Sequence, residues 1–255
     1  MTDSRDDLEL ALLLAELSDE ITTTRFGASD LRVDTKTDDT PVTDADRAVE
    51  EMIRAHLARA RPTHAVLGEE GGASGEAEWR WIIDPIDGTK NFARGVPVWA
   101  TLLSLQRDGV ETCAVISAPA LGRRWWARQD GGAQCNGRAL HVSAVSRLED
   151  ASLSVSDVRD FARLGWGDGF ARLAAMCQRL RGFGDFWSHM LVAEGAIDCG
   201  IEATVKQWDV SAVRLIVREA GGRFTDFAGI DHIGGGSVIT SNGLVHDAVL
   251  ACLGS

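Results

Sequence analysis

The sequence predicts a mixed fold: an α+β first half built on an antiparallel sheet, residues 1–145, passing into an α/β second half, residues 146–255, within one unit. Three observations predict it. Apolar residues recur at helical spacing in the first sixty positions. Three β-rich segments separated by hairpin signals lie between residues 98 and 138. From residue 151 strand-like and helix-like segments alternate.

Taken in order, Leu10, Leu13, Leu14, Leu17 and Ile21 mark one face of a helix over 6–26, ended by Gly27. The polar run 30–41 reads as a mobile loop in which Lys36 is a solvated charge or closes over a site. Thr43 and Asp46 have capping-box spacing, and Val49, Met52, Ile53 and Leu57 face a second helix. A short strand, 64–67, delivers Glu69 and Glu70 at its end. A second, Trp81-Ile82-Ile83, delivers Asp84, and Pro85 is expected to stop it because it has no N–H. Asp87-Gly88-Thr89 then turns into a short helix.

Strands follow over 98–106, 110–117 and 123–129, with Asn136-Gly137 as a further turn. The second half reads as strand 151–156, helices 169–180 and 185–194, strand 197–202, helix 209–219, strands 223–226 and 237–240, and a closing helix 246–253.

Composition narrows function. Hydrophobic residues make up 45% and charged residues 25% of the 255, the balance of an ordinary globular chain. No long apolar span suggests a membrane helix, and the acidic N-terminus lacks a signal-peptide core. A net charge of −12 disfavours nucleic acid, and it repels phosphate unless bound cations reverse the field locally. The five cysteines are odd in number and widely spaced, as expected of reduced thiols in a cytoplasmic protein. None of the six histidines has ligand spacing to another, so all read as structural or surface residues.

The stretch from Trp81 to Phe92 carries the chemistry. Two carboxylates, Asp84 and Asp87, stand three positions apart at a strand end, with a helix N-terminus behind them. Hard divalent cations take carboxylate oxygens, and a helix N-terminus takes an anion, so the pattern suits a metal-held phosphate. Turn and cap chemistry alone is the competing explanation.

In full, this stretch resembles the first signature of the inositol monophosphatase-like family. Trp208-Asp209, ending in Glu219-Ala220-Gly221-Gly222, resembles the second. Gly68-Glu69-Glu70 and Thr43-Asp44-Ala45-Asp46 match two upstream motifs, and 132–143 resembles a loop of these enzymes. Ser211 departs from the usual Ala or Cys. Arg181-Gly182-Phe183-Gly184-Asp185-Phe186-Trp187 resembles a segment of the histidinol-phosphate phosphatases of this fold, although Ala203 stands where those enzymes carry Pro.

The resemblance implies a layered α-β-α-β-α sandwich, two or three Mg2+ ions, a small phosphate-ester substrate and a homodimer. It implies Glu69, Asp84 and the Ile86 carbonyl around one metal, Asp84, Asp87 and Asp209 around a second, and Asp46 near a third. Thr89 would orient a water with Asp46 behind it, and the N–H groups of Gly88 and Thr89 would hold phosphate. Asp185 and Glu202 would face the leaving group.

Each residue has a plainer alternative. Asp46 caps its helix, Asp209 and Asp185 cap theirs, Glu202 is a surface carboxylate, Glu70 meets solvent or a cation, and Trp187 is core. The expected function is Mg-dependent hydrolysis of L-histidinol phosphate in histidine biosynthesis. The alternatives are an inositol or sugar-phosphate phosphatase, and, more remotely, a non-catalytic binding protein on the same scaffold.

Overall fold

A computed structural model describes residues 4–37 and 39–254. In chain order the elements are α1 (Ser4–Arg25), β1 (Val33–Thr35), β2 (Pro41–Thr43), α2 (Asp44–Ala60), β3 (Ala65–Gly68), β4 (Gly72–Ser74), β5 (Trp79–Asp87), α3 (Thr89–Ala93), β6 (Ala100–Arg107), β7 (Val110–Ala118), β8 (Arg123–Arg128), β9 (Ala133–Cys135) and β10 (Arg138–Ala139). The second half adds β11 (Ser152–Val155), α4 (Val158–Arg163), α5 (Gly167–Met176), β12 (Arg179–Arg181), α6 (Asp185–Ala193), β13 (Cys199–Glu202), α7 (Gln207–Glu219), β14 (Arg223–Thr225), β15 (Val238–Ser241) and α8 (His246–Leu253).

Eight strands form one sheet in the order β10-β9-β8-β7-β6-β5-β3-β4, antiparallel except for the β3/β5 pair. Five form a second, β12-β11-β13-β15-β14, in which β12, β11 and β13 are parallel. The alternation of side chains along β6 and β7 sorts them to two faces. Leu103, Leu105, Cys113 and Val115 pack with Leu14, Val49, Ile53 and Leu57 of α1 and α2. Ala100, Leu102, Ala114 and Ile116 pack with Phe186, Met190, Val213 and Val217 of α6 and α7. On the far side, Leu153, Ile201 and Ile239 of the smaller sheet meet Phe161, Leu173 and Val249 of α4, α5 and α8. The result is the expected five-layer α-β-α-β-α sandwich. No helix among the described residues is long and apolar enough to cross a membrane.

Three sequence expectations need correction. The segment 30–41 is not simply a loop: β1 and β2 pair across a turn closed by the Lys36 N–H donating to the Thr40 carbonyl at 2.7 Å. Three-residue strands, β1 wholly exposed, leave no apolar alternation to read. The expected helix 169–180 starts earlier, at Gly167, stops at Met176 and gives way to the edge strand β12. Finally, Pro85 does not end β5. Asp84 pairs with Leu102 and Asp87 with Ala100, so three steps along β5 match two along β6. The extra residue is a β-bulge, where a missing N–H is tolerated.

Candidate active site

The bulge decides where the carboxylates point. Residues three apart on a regular strand face opposite sides of the sheet. The added residue reverses that parity, and the carboxylate oxygens of Asp84, Asp87 and Asp209 come within 4.8 Å of one another. Asp84 is 2% exposed, and its Oδ1 has no hydrogen-bond partner.

Asp87 Oδ2 accepts the Phe186 N–H at 2.7 Å, which ties the end of β5 to the start of α6. Gly88, at φ +83°, links β5 to α3; a Cβ there would lie 2.9 Å from the Val98 carbonyl oxygen, so only glycine fits. Asp209 sits in the first turn of α7 rather than at its N-cap, and its Oδ2 accepts the Lys206 N–H at 2.7 Å.

The strand-end loop after β3 is held from behind. Glu50, buried on α2, accepts the Glu70 N–H at 2.8 Å and the Gly71 N–H at 2.7 Å. Glu69 and Glu70 both pair with Lys36 Nζ, at 2.7 and 2.6 Å. Lys36 is therefore an ion-pair partner at the site and not a solvated loop charge. Hydrogen bonds and the two carboxylates raise its pKa against the opposing effect of burial.

Asp46 both caps its helix and reaches Thr89. It completes a capping box, accepting the Thr43 N–H at 2.8 Å on Oδ2. Its Oδ1 lies 3.2 Å from Thr89 Oγ1, whose hydroxyl also reaches the Ile86 carbonyl at 2.9 Å. Asp185 follows Gly184, which takes the N-cap position, so it is no cap itself; its Oδ2 lies 3.3 Å from Asn91 Nδ2. Glu202, at the end of β13, is bonded to His189 Nε2 at 3.0 Å. Trp187 is partly buried against the core and makes an edge contact with Phe183.

One cavity of about 160 Å³ is lined by Glu69, Asp84, Ile86, Asp87, Gly88, Thr89, Asp185, Glu202 and Asp209, with Asp46 behind Thr89. Every predicted site residue is thus brought together. The electrostatics are lopsided. Burial, and then the charge of Glu69, pushes the Asp84 carboxyl far above the usual range; burial and Asp185 do the same for Asp87. Asp209 and Asp185 are each pushed up to about 7, chiefly by burial. Asp46 is raised by burial too, despite its bonds to Thr43.

This donor set fits hard cations. Its donors are all oxygens, with no thiol or imidazole among the predicted ligands, and an unpartnered buried carboxylate oxygen faces its neighbours. A model of the inositol monophosphatase family matches residues 5–253. The chain belongs to the inositol monophosphatase family. Members of this family are generally Mg-dependent. The chain is 53% identical to a histidinol-phosphatase of Mycobacterium tuberculosis, with 98% of each chain covered. It is 49% identical to a histidinol-phosphatase of Streptomyces coelicolor, covering 99% of this chain and 98% of the other. Among solved structures, an IMPase of Thermotoga maritima superposes with a TM-score of 0.88 at 31% identity, covering 98% of this chain and 97% of that one.

Sequence reasoning missed Glu50 and His189 as parts of the site, and left Lys36 as either a solvated charge or a residue closing over it. Glu50 and His189 stand on helices among core positions, and only their tertiary contacts mark them.

Proposed function

We propose that this family member hydrolyses L-histidinol phosphate to L-histidinol and phosphate, in the cytoplasm and as a homodimer. The observation that carries the substrate is the pair Asp185 and Glu202, facing the cavity beside the Asp84–Asp87–Asp209 cluster. Histidinol phosphate carries an amine and an imidazole, and two carboxylates at the leaving-group side favour a cation over a neutral polyol. The full-length similarity to two histidinol-phosphatases supports the same substrate. Five free cysteines support a reducing compartment.

Glu69, Asp84 and the Ile86 carbonyl would hold one Mg2+, and Asp84, Asp87 and Asp209 a second, with Asp46 beside a third. When bound, Mg2+ supplies Lewis-acid stabilisation of charge and lowers the pKa of water. The chain's own groups do the rest. The Thr89 hydroxyl orients the attacking water. Asp46, raised by burial and already in hydrogen-bond reach of Thr89, accepts its proton through that hydroxyl. The N–H groups of Gly88 and Thr89 hold the phosphate oxygens at the start of α3. Asp185 and Glu202 orient the cationic leaving group.

The test is phosphate release from L-histidinol phosphate and from inositol monophosphate in parallel, with Mg2+ and with chelator. Mg-dependent preference for histidinol phosphate is the expected result. Preference for the inositol ester discards the substrate and keeps the chemistry. Hydrolysis of neither discards both.

A further inference from the structure

His189 is buried, 2% exposed, one helical turn after Asp185 on the same face of α6. Its ring is held at both nitrogens. Nδ1 lies 2.8 Å from Thr240 Oγ1 on β15, and Nε2 lies 3.0 Å from Glu202 Oε1 on β13. An ionised carboxylate can only accept, so Nε2 carries the proton. In the neutral ring Nδ1 must then accept from the Thr240 hydroxyl, whose other neighbour, the Gly200 carbonyl, is more distant at 3.4 Å. The ring fits there because β13 carries glycine at position 200. A Cβ would lie 3.1 Å from Nδ1 and 3.0 Å from Thr240 Oγ1. Thr240 pairs with Gly200 across the β13/β15 ladder, so the tautomer is set by the backbone register of the smaller sheet.

We infer that His189 is a positioning residue for substrate selectivity: as a fixed Nε2–H donor it holds Glu202 Oε1, so that the second carboxylate oxygen is presented to the amine or imidazole of the leaving group. This rests on the histidinol-phosphate assignment and deepens it. A long glutamate side chain at a strand end has three rotatable bonds to order, and the histidine fixes them before the substrate arrives. The same clamp removes one acceptor from the cavity, leaving a single oxygen matched to an N–H donor.

The experiment compares kcat/KM for L-histidinol phosphate and for inositol monophosphate in the wild type, His189→Leu, His189→Gln and Thr240→Val, all with saturating Mg2+. In His189→Leu the ratio of the two values falls about tenfold, the order expected for losing one hydrogen bond to a charged group. The fall appears mainly in KM for histidinol phosphate. His189→Gln, which keeps an amide donor near Nε2, recovers most of the ratio. Thr240→Val, which frees the tautomer without removing the ring, lowers it about threefold, and serves if His189→Leu does not fold. A ratio unchanged in His189→Leu and Thr240→Val, with both substrates slowed equally, makes the histidine merely structural and overturns the inference. A wild type without preference for histidinol phosphate overturns the substrate assignment itself, an outcome visible before any variant is made.

Discussion

Two carboxylate groups share one cavity and are built on different principles. Asp84, Asp87 and Asp209 crowd together with a buried oxygen that nothing in the chain satisfies. Glu202 and Asp185, by contrast, each have a side-chain hydrogen-bond partner, His189 and Asn91, that orders them. The first arrangement is unstable until a dense positive charge arrives, as a divalent ion provides. The second is already folded around its role and suits a diffuse organic cation. Strong binding of a small ion and selective binding of a large one thus come from opposite treatments of the same functional group.

The sharpest way to break this comparison is Asp84→Asn. Hydrolysis falls by about a thousandfold or more, because metal stabilisation of the transition state is worth several kcal/mol and each 1.36 kcal/mol is tenfold in rate. Thermal melts with Mg2+ and with chelator check the second half of the expectation. The metal-free variant melts higher than the metal-free wild type, since an uncompensated buried charge is gone, and Mg2+ no longer raises its Tm.

The next effect is on stability against pH. Asp84, Asp87 and Asp209 have folded-state pKa values above the ordinary range near 3.8, with Asp209 at about 7. Between those limits the folded protein binds more protons than the unfolded chain, so stability falls as pH rises. With chelator present, Tm is higher at pH 5.5 than at pH 8 on this account. The increment from Mg2+ is larger at pH 8, where more of the carboxylates it neutralises are charged. Equal increments at the two values contradict it.

Asp185→Asn probes the other group. The ratio of kcat/KM for histidinol phosphate to that for inositol monophosphate falls about tenfold, the loss of a charge-assisted hydrogen bond. A ratio left intact moves selectivity elsewhere in the cavity.

The smallest effect lies behind the site. Ser211, two residues after Asp209, takes a hydrogen bond from Ser104 at 2.8 Å and donates to the buried Glu111 at 3.3 Å. Glu111 is in turn bound by Gln106 and by Arg214 of α7. Ser211→Ala leaves these groups one partner short and costs about 1 kcal/mol, read as a lower midpoint in urea unfolding at unchanged m-value.

Much of this was legible in the sequence, and the boundary has a physical origin. Asp84, Asp87, Glu69 and Asp209 announce themselves because each lies at the end of an apolar run or the start of a helix, where local chain direction already predicts placement. Periodicity gave the α+β half and the α/β half, and the five layers came from the family resemblance. The β1–β2 hairpin was hidden because its strands are three residues long and β1 is wholly exposed. For Lys36 the sequence left two readings open, since the partners that decide between them stand 33 and 34 residues away. His189 looked like any core histidine, because what distinguishes it is a pair of contacts to two other strands.

The bulge at Pro85 carries a last consequence. Asp84 and Asp87, three positions apart, converge because the bulge absorbs one residue of the interval. The bulge therefore lets a three-residue spacing serve one face and places Ile86 in the cavity wall between the aspartates. Substituting Ile86 by another apolar residue preserves that spacing. Deleting it leaves the two aspartates two positions apart, still on one face, but removes the bulge and the Ile86 carbonyl from the cavity wall. In a lineage descending from this chain, the side chains between the aspartates can drift in kind while the bulge is kept.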